Sequence, residues 1–391
     1  MPPTDVTSLV SVYGATLAPR FATGGGEPED LLRGPFETLL DGVARVAGIA
    51  DVVLTGEHHL ADERVRPDYA VHVAGALVGF VEVKAPGKGV DPTKFKGHDK
   101  TQWERLSCLP NVLYTDGGSF ALYRDGERVG EPVSLVGSVE AAGAALSPPA
   151  DDGLLRILET FLRWQPIAPS RASQLAAITA RLCRLLRAEV EELLETDAGL
   201  QALADDWRRV LFPSLTSSQF ADAYAQTVSF GLLLARVEDI DLVTNDLHDV
   251  AVKLGQRHTL VGRALDLLTD DRVLGKLAVS VSTLQRVLGV VDWQTVSKGR
   301  ESAWLYFYEQ FLDIYDPALR RATGSYYTPV QVVDPMVRLV DEVLRTRLGR
   351  SEGFAAPGVE VVDPGTGSGT FLVRVIGGRD RASEGKALGA E

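Results

Sequence analysis

Between residues 29 and 46 the apolar positions Leu32, Phe36, Leu39, Leu40, Val43 and Val46 recur at three- and four-residue spacing. That period predicts an amphipathic helix. The pattern then shortens to β-rich runs: VVL at 52–54, YAVHV at 69–73, ALVGFVEV at 76–83, NVLYT at 111–115 and SFALYR at 119–124. The last two are separated by Asp116-Gly117-Gly118, a hairpin signal. Residues 27–135 therefore read as α/β. The stretch GSVEAAGAALSPPADDG at 137–153 has no period and is rich in small residues, as in a linker.

From 154 to 322 the text is helical throughout. Leu175, Ile178, Leu182, Leu185 and Leu186 form one stripe, and Phe220, Tyr224, Val228 and Leu232 another. Thr216-Ser217-Ser218-Gln219 opens the second as a capping box. The aromatic stripe Trp304, Phe307, Tyr308 and Phe311 reads as core rather than as a cofactor box. From Thr323 the pattern changes again. An amphipathic helix carries Val332, Met336, Leu339, Val340 and Val343, and a buried strand is expected over Val359–Val362 before a glycine loop. The expected class is multidomain, with an α/β core, an all-α connector and the start of a Rossmann-like α/β domain. The expected bounds are 1–136, a linker at 137–153, 154–322 and 323–391.

Composition narrows the class. A hydrophobic share of 45% and a charged share of 24% suit a globular chain. No apolar run approaches the roughly 20 residues of a membrane span, so no membrane partner is expected. MPPTDVTSLV lacks the basic and apolar regions of a signal peptide. The two cysteines, Cys108 and Cys183, make no disulfide framework and no metal-spaced cluster. A reduced, cytoplasmic protein is expected. The net charge of −13 argues against indiscriminate nucleic-acid binding, yet Lys84, Lys88, Lys94, Lys96, Lys100 and Arg105 cluster locally against Asp91, Asp99 and Glu104.

That cluster begins inside a constellation with chemistry. Pro67-Asp68 is followed by Glu82-Val83-Lys84, and a period of two puts Glu82 and Lys84 on one face of a strand. Asp68, at the start of the neighbouring strand, can reach that face. Two hard carboxylates with a free coordination position suit Mg²⁺ beside a phosphate. Alone, a Glu-x-Lys pair is more often a solvent-facing ion pair, but Leu77, Val78, Phe80, Val81 and Val83 make this strand apolar around it. Glu37 lies on the upstream helix, and Lys100-Thr101-Gln102-Trp103 opens a helix downstream. The set resembles the PD-(D/E)XK nuclease superfamily. The resemblance implies Asp68, Glu82 and Glu37 as metal ligands, Lys84 as the catalytic lysine and Gln102 as the downstream polar residue. His58 and His59 read as loop or packing residues, with Glu57 beside them a lesser candidate.

A second constellation lies near the end. Asp363-Pro364-Gly365-Thr366-Gly367-Ser368-Gly369-Thr370-Phe371 follows the expected strand, and Gly324-Ser325-Tyr326-Tyr327-Thr328-Pro329 opens the preceding helix. A lone glycine loop is weak evidence, and Tyr-Thr-Pro alone is a helix start with proline near its first position. No Gly-Lys-Ser/Thr follows, which excludes a P-loop. Together the two motifs resemble the first motifs of N6-adenine DNA methyltransferases. The resemblance implies an S-adenosylmethionine pocket lined by Tyr327, Thr328, Pro329, Asp363, Gly365, Gly367 and Phe371. The catalytic Asn/Asp-Pro-Pro-aromatic loop of such enzymes has no counterpart; Ser147-Pro148-Pro149-Ala150 lacks the aromatic residue.

Nuclease, helical connector and methyltransferase in this order are similar to single-polypeptide restriction–modification enzymes of the type IIG and type I-like classes, over roughly residues 27–376. The resemblance implies a Mg²⁺-dependent DNA endonuclease joined to a partial adenine-specific methyltransferase that is incompetent alone. It implies double-stranded DNA as partner, and a second chain carrying the rest of the methyltransferase and a target-recognition domain. The expectation is a truncated or split enzyme, with residues beyond about Thr323 poorly protected from hydrogen exchange. The alternative is a non-catalytic DNA-binding or assembly subunit of a split system.

Overall fold

A computed structural model describes residues 5–56, 67–210, 213–268, 276–298, 303–317, 330–366 and 369–377. It divides into two compact units, one made of 1–169 and 181–293, the other of 170–180 and 294–391.

The first unit is built on a six-stranded sheet in sequence order: β1 (Val52–Gly56), β2 (Tyr69–Val73), β3 (Ala76–Val83), β4 (Val112–Thr115), β5 (Ser119–Arg124) and β6 (Glu127–Ser134). Only β3 and β4 are parallel; the other neighbours are antiparallel. The parallel crossover is made through the helix α3 (His98–Leu106), while β4 and β5 turn directly at Asp116-Gly117-Gly118. There Asp116 Oδ1 accepts from the main-chain nitrogens of Gly118 and Ser119, and Gly117 takes φ 80°. The hairpin expected from those residues is present for the usual reason, an Asp side chain that ties the turn and a glycine free to adopt left-handed φ.

The two faces of the sheet bury different residues. Val81, Val83, Leu113, Phe120 and Leu122 pack with Leu32, Phe36, Leu39, Leu40 and Val43 of α2 (Pro28–Val46), with α1 (Val6–Thr23) and with α4 (Gly153–Leu162). The stripe read in α2 is buried from Leu32 to Val43, while its last expected member, Val46, is exposed. Phe80, Val112, Tyr114, Ala121 and Tyr123 form the other core, with Phe95, Leu106 and Leu109. Gly79 lets β3 approach Asn111 and Phe161; a Cβ there would fall 2.6 Å from the Asn111 carbonyl oxygen. The Asn111 amide donates to the Val78 and Phe161 carbonyls at 2.8 and 3.0 Å, fastening α4 to the sheet. The stretch expected as a linker packs as well: Leu146 is buried, and Val136 and Ser147 form an isolated antiparallel bridge.

The helices of this unit include α6 (Ala198–Val210), α7 (Ser217–Val237), α8 (Leu247–Gly255), α9 (Thr259–Leu268), α10 (Ala278–Gly289) and α11 (Trp293–Ser297), which runs into the second unit. The helix α5 (Ala172–Thr196) also contributes residues to both units. The capping box at Thr216 is formed in both directions: Gln219 N donates to Thr216 Oγ1 at 3.2 Å, and Thr216 N donates to Gln219 Oε1 at 2.9 Å. Phe220, Tyr224, Val228 and Leu232 behind it are fully buried.

In the second unit, α12 (Ala303–Tyr315) buries Phe307 and Phe311, in accord with a core reading of that stripe. The next helix, α13 (Val330–Thr346), departs from expectation. Val332, Met336, Leu339, Val340 and Val343 form the expected stripe, but it is exposed. The strand expected over Val359–Val362 is not formed; the segment has no regular secondary structure and Val362 is 83% exposed. A β-strand needs a neighbour to satisfy its main-chain groups, and among the described residues no strand lies beside this one. Residues 370–377 are helical and tied back to α13 by Arg374 on Asp334 at 3.2 Å.

Candidate functional site

The site grows from the register of β2, β3 and β4. Tyr69 pairs with Val81, so Asp68, one residue before β2, stands beside Glu82. Its Oδ2 accepts from the Val83 main-chain nitrogen at 2.7 Å, which fixes the carboxylate against β3. On the other side, Glu82 is paired with Tyr114 of β4. Lys84 follows on the face of Glu82 and donates to Glu82 Oε1 at 2.8 Å. Asp68, Glu82, Lys84 and Gln102 are all buried, with Glu82 2% and Lys84 3% exposed. Such burial is unusual for charged groups unless they are paired. The bland reading of Glu82 and Lys84 as a surface ion pair is thereby removed.

The downstream helix closes over the lysine. Gln102 Oε1 accepts from Lys84 Nζ, and Asp99 Oδ1 lies 3.2 Å from the same nitrogen. Lys88 pairs with Asp99 at 2.6 Å. Burial alone would lower the Lys84 ammonium, but Glu82 and Asp99 outweigh it and hold it above its ordinary range. Lys84 is therefore a charged donor, suited to orient a water or a phosphate oxygen rather than to remove a proton. Burial, reinforced by the Asp68 charge and opposed by Lys84, raises Glu82 to about 8.

The helix α2 supplies three polar residues one turn apart. Glu29 Oε1 accepts from the main-chain nitrogen of Ala85 at 3.1 Å, and its charge also raises Glu82. Arg33 Nη2 contacts Asp68 Oδ1 at 2.5 Å. Glu37 Oε1 accepts from the Tyr69 hydroxyl at 2.8 Å. The structure thus brings Asp68, Glu82, Lys84 and Gln102 together, and holds Glu37 on the tyrosine beside Asp68. Glu29, which sequence reasoning passed over, reaches the end of β3. Its signal was available in the same helical period, eight residues before Glu37.

For a cation the donor chemistry is two hard carboxylates. The oxygen Glu82 Oε2 is buried with no hydrogen-bond partner, which fits a divalent ion that needs carboxylate oxygen. Among the described residues no group of three or more His, Cys, Asp or Glu side chains is gathered to hold a metal. Glu57, His58 and His59 lie outside the described residues.

The basic cluster is largely neutralised: besides the Asp99 pairs, Lys94 pairs with Asp91 at 3.4 Å and Arg105 with Glu192. Lys96 and Lys100 remain exposed.

At the glycine loop, Asp363 Oδ1 accepts from Gly365 N at 3.1 Å, and Thr366 Oγ1 donates to the Asp363 carbonyl at 2.7 Å. The loop makes its own turn and leads into the helix carrying Phe371, which is half-buried. Open space surrounds Gly365. Tyr327, Thr328, Pro329 and Gly367 lie outside the described residues.

Among the described residues, no helix is long and apolar enough to cross a membrane. No curated protein matches the chain. A cryo-EM structure of a DrdV–DNA complex is similar at 20% identity with a TM-score of 0.35, the match covering 94% of this chain and 34% of that one. The chain thus spans about a third of that protein's length. Residues 305–385 match the family model described as N-6 DNA Methylase, so over that segment the chain carries N6 DNA methyltransferase sequence.

Proposed function

We propose that the protein is a restriction–modification protein, with a Mg²⁺-dependent DNA endonuclease site in its N-terminal sheet and an S-adenosylmethionine-dependent N6-adenine methyltransferase segment at its C-terminal end. The observation that carries the nuclease half is the buried row of Asp68 and Glu82 with Lys84 held by Gln102. An apolar sheet keeps two carboxylates and an ammonium together at the expense of their hydration, which a purely structural pair would rarely do. The match over 305–385 supports the methyltransferase half.

Asp68 and Glu82 would hold Mg²⁺, with Glu29 or Glu37 of α2 as the further carboxylate. The ion supplies charge neutralisation at phosphate and acidifies water. Lys84, kept charged by Glu82 and Asp99, orients the attacking water or the phosphate oxygen. Gln102 fixes the rotamer of Lys84. Exposed Lys96 and Lys100, just before and within α3, offer contacts to the DNA backbone. In the C-terminal segment Asp363, Gly365 and Phe371, with Tyr327, Thr328, Pro329 and Gly367, would hold S-adenosylmethionine as methyl donor.

The exposed apolar stripe of α13 favours a second reading, a non-catalytic DNA-binding or assembly subunit. Cleavage of unmethylated plasmid DNA with Mg²⁺, compared between the protein and its Lys84→Ala variant, separates the two. Cleavage that disappears with Lys84 supports the nuclease; DNA binding without cleavage by either form favours the assembly reading.

A further inference from the structure

Two buried polar atoms in the acidic site have no hydrogen-bond partner, and they sit on neighbouring strands: Glu82 Oε2 and the Tyr114 hydroxyl. Glu82 and Tyr114 are opposed in the β3–β4 register. With Asp68 on the other side they make one row across three strands.

The Tyr114 ring is fully buried and clamped by three others. Ring centroids of Phe95, Trp103 and Tyr123 lie 5.9, 5.5 and 5.8 Å away. The phenol therefore has no path to solvent. In such a cluster phenylalanine fills nearly the same volume without burying a hydroxyl, and a buried hydroxyl left unbonded is costly. A phenol is a donor at neutral pH. Of the two Glu82 oxygens, Lys84 takes Oε1, so Oε2 is the acceptor that remains. Arg33 also has an unbonded buried nitrogen, but it reaches from α2, and its terminal nitrogens face Asp68 and Asp30.

We propose that Tyr114 is a positioning residue of the acidic site, its hydroxyl donating to Glu82 Oε2 through one buried water and so orienting that carboxylate toward a divalent cation. The cation part of this rests on the nuclease reading; the Glu82–Tyr114 bond does not. Lys84 and Tyr114 then each hold one oxygen of Glu82, and that carboxylate, with Asp68, would hold the ion.

The test is a double-mutant cycle on the full chain in cation-free buffer above pH 8, where Glu82 is ionised, with Tyr114→Phe and Glu82→Ala, read by urea unfolding. Tyr114→Phe should lower the unfolding midpoint when Glu82 is present and leave it unchanged or raised in the Glu82→Ala background. An equal effect in both backgrounds overturns the bond. Titration with Mn²⁺ is the second measurement, since Tyr114→Phe keeps the shape of the core. Loss of the group that orients a ligand should weaken Mn²⁺ binding about tenfold, and an unchanged affinity overturns the orienting role. Plasmid cleavage by the protein and by Lys84→Ala is run alongside. If the unsubstituted protein neither cleaves nor binds Mn²⁺, the nuclease reading and the orienting role fall together, while the cycle still decides the bond.

Discussion

Asp68 and Val83 are joined across β2 and β3 by a 2.7 Å hydrogen bond from the Val83 main chain to the Asp68 carboxylate. The other oxygen of Asp68 takes Arg33. One side chain thus satisfies a strand nitrogen and a partly buried guanidinium while standing beside Glu82. Asp68→Ala should cost about 2–4 kcal/mol, because it removes an acceptor from a buried donor and takes from Arg33 its buried carboxylate, leaving the exposed Asp30. Asp68→Asn keeps an acceptor and should cost about half as much. Urea unfolding of both variants checks the order; equal costs would show that the hydrogen bond to Val83 contributes nothing.

Glu82 gives the fold a pH dependence whose sign follows from its shift. In the folded protein it holds its proton to about 8, against an ordinary value of 4.5. Between those values the folded state binds more protons than the unfolded chain, so stability falls as pH rises through the window. The contribution is complete below the lower value and lost above the upper. At about 1.4 kcal/mol per unit, the change is of the order of a few kcal/mol. Glu82→Gln removes the titration. In cation-free buffer, melting temperature from pH 5 to 8 should fall more for the protein than for this variant, and parallel curves would contradict the assignment.

Salt dependence tests the DNA-facing surface. Lys96 and Lys100 are exposed, whereas Lys84, Lys88, Lys94 and Arg105 are engaged with carboxylates. Each lysine on a phosphate adds roughly 0.9 to the slope of log affinity against log salt. Replacing Lys96 and Lys100 together by alanine should lower the slope by about two and weaken binding for every DNA sequence alike. Replacing Lys94 should change it less. Fluorescence anisotropy at several salt concentrations distinguishes these outcomes.

The sequence made some of this legible for plain reasons. Alternation along β3 put Glu82 and Lys84 on one face, and the α2 stripe at 32–43 is the buried one. Register across strands was not readable, and with it went the Tyr114 partnership, since no local pattern tells which residue of β4 lies beside Glu82. Glu29 was missed for a related reason: its role depends on where the end of β3 meets α2. The C-terminal stripe and the run at 359–362 have the periods of buried elements, but a period states what a segment can bury, not whether a neighbour is there to cover it.

Close approach at Gly79 is a feature that only packing reveals. A methyl group there would meet the Asn111 carbonyl oxygen at 2.6 Å, with the Asn111 amide and Phe161 at 2.7 Å. None of these is a free surface group: Asn111 fastens the sheet to α4, and Phe161 is fully buried. Gly79→Ala should therefore destabilise by about 1–3 kcal/mol, as overpacking does. A variant of unchanged stability would mean that α4 can shift away from β3.

The uncovered run before the glycine loop yields the opposite expectation. Val362 is 83% exposed and belongs to no strand, although the sequence reads as a buried strand over Val359–Val362. Val362→Asp should therefore change stability by no more than about 0.5 kcal/mol, the range of an ordinary surface substitution. Leu113→Asp, in a buried strand of the first unit, serves as the contrast and should abolish cooperative unfolding of that unit. Hydrogen exchange at 359–366 adds the local measure: amides without sheet partners exchange within the time of mixing, whereas those of β3 and β4 are held to global unfolding. Slow exchange at 359–366, together with a large cost for Val362→Asp, would show that a covering strand is found in solution and that the expected βα unit forms after all.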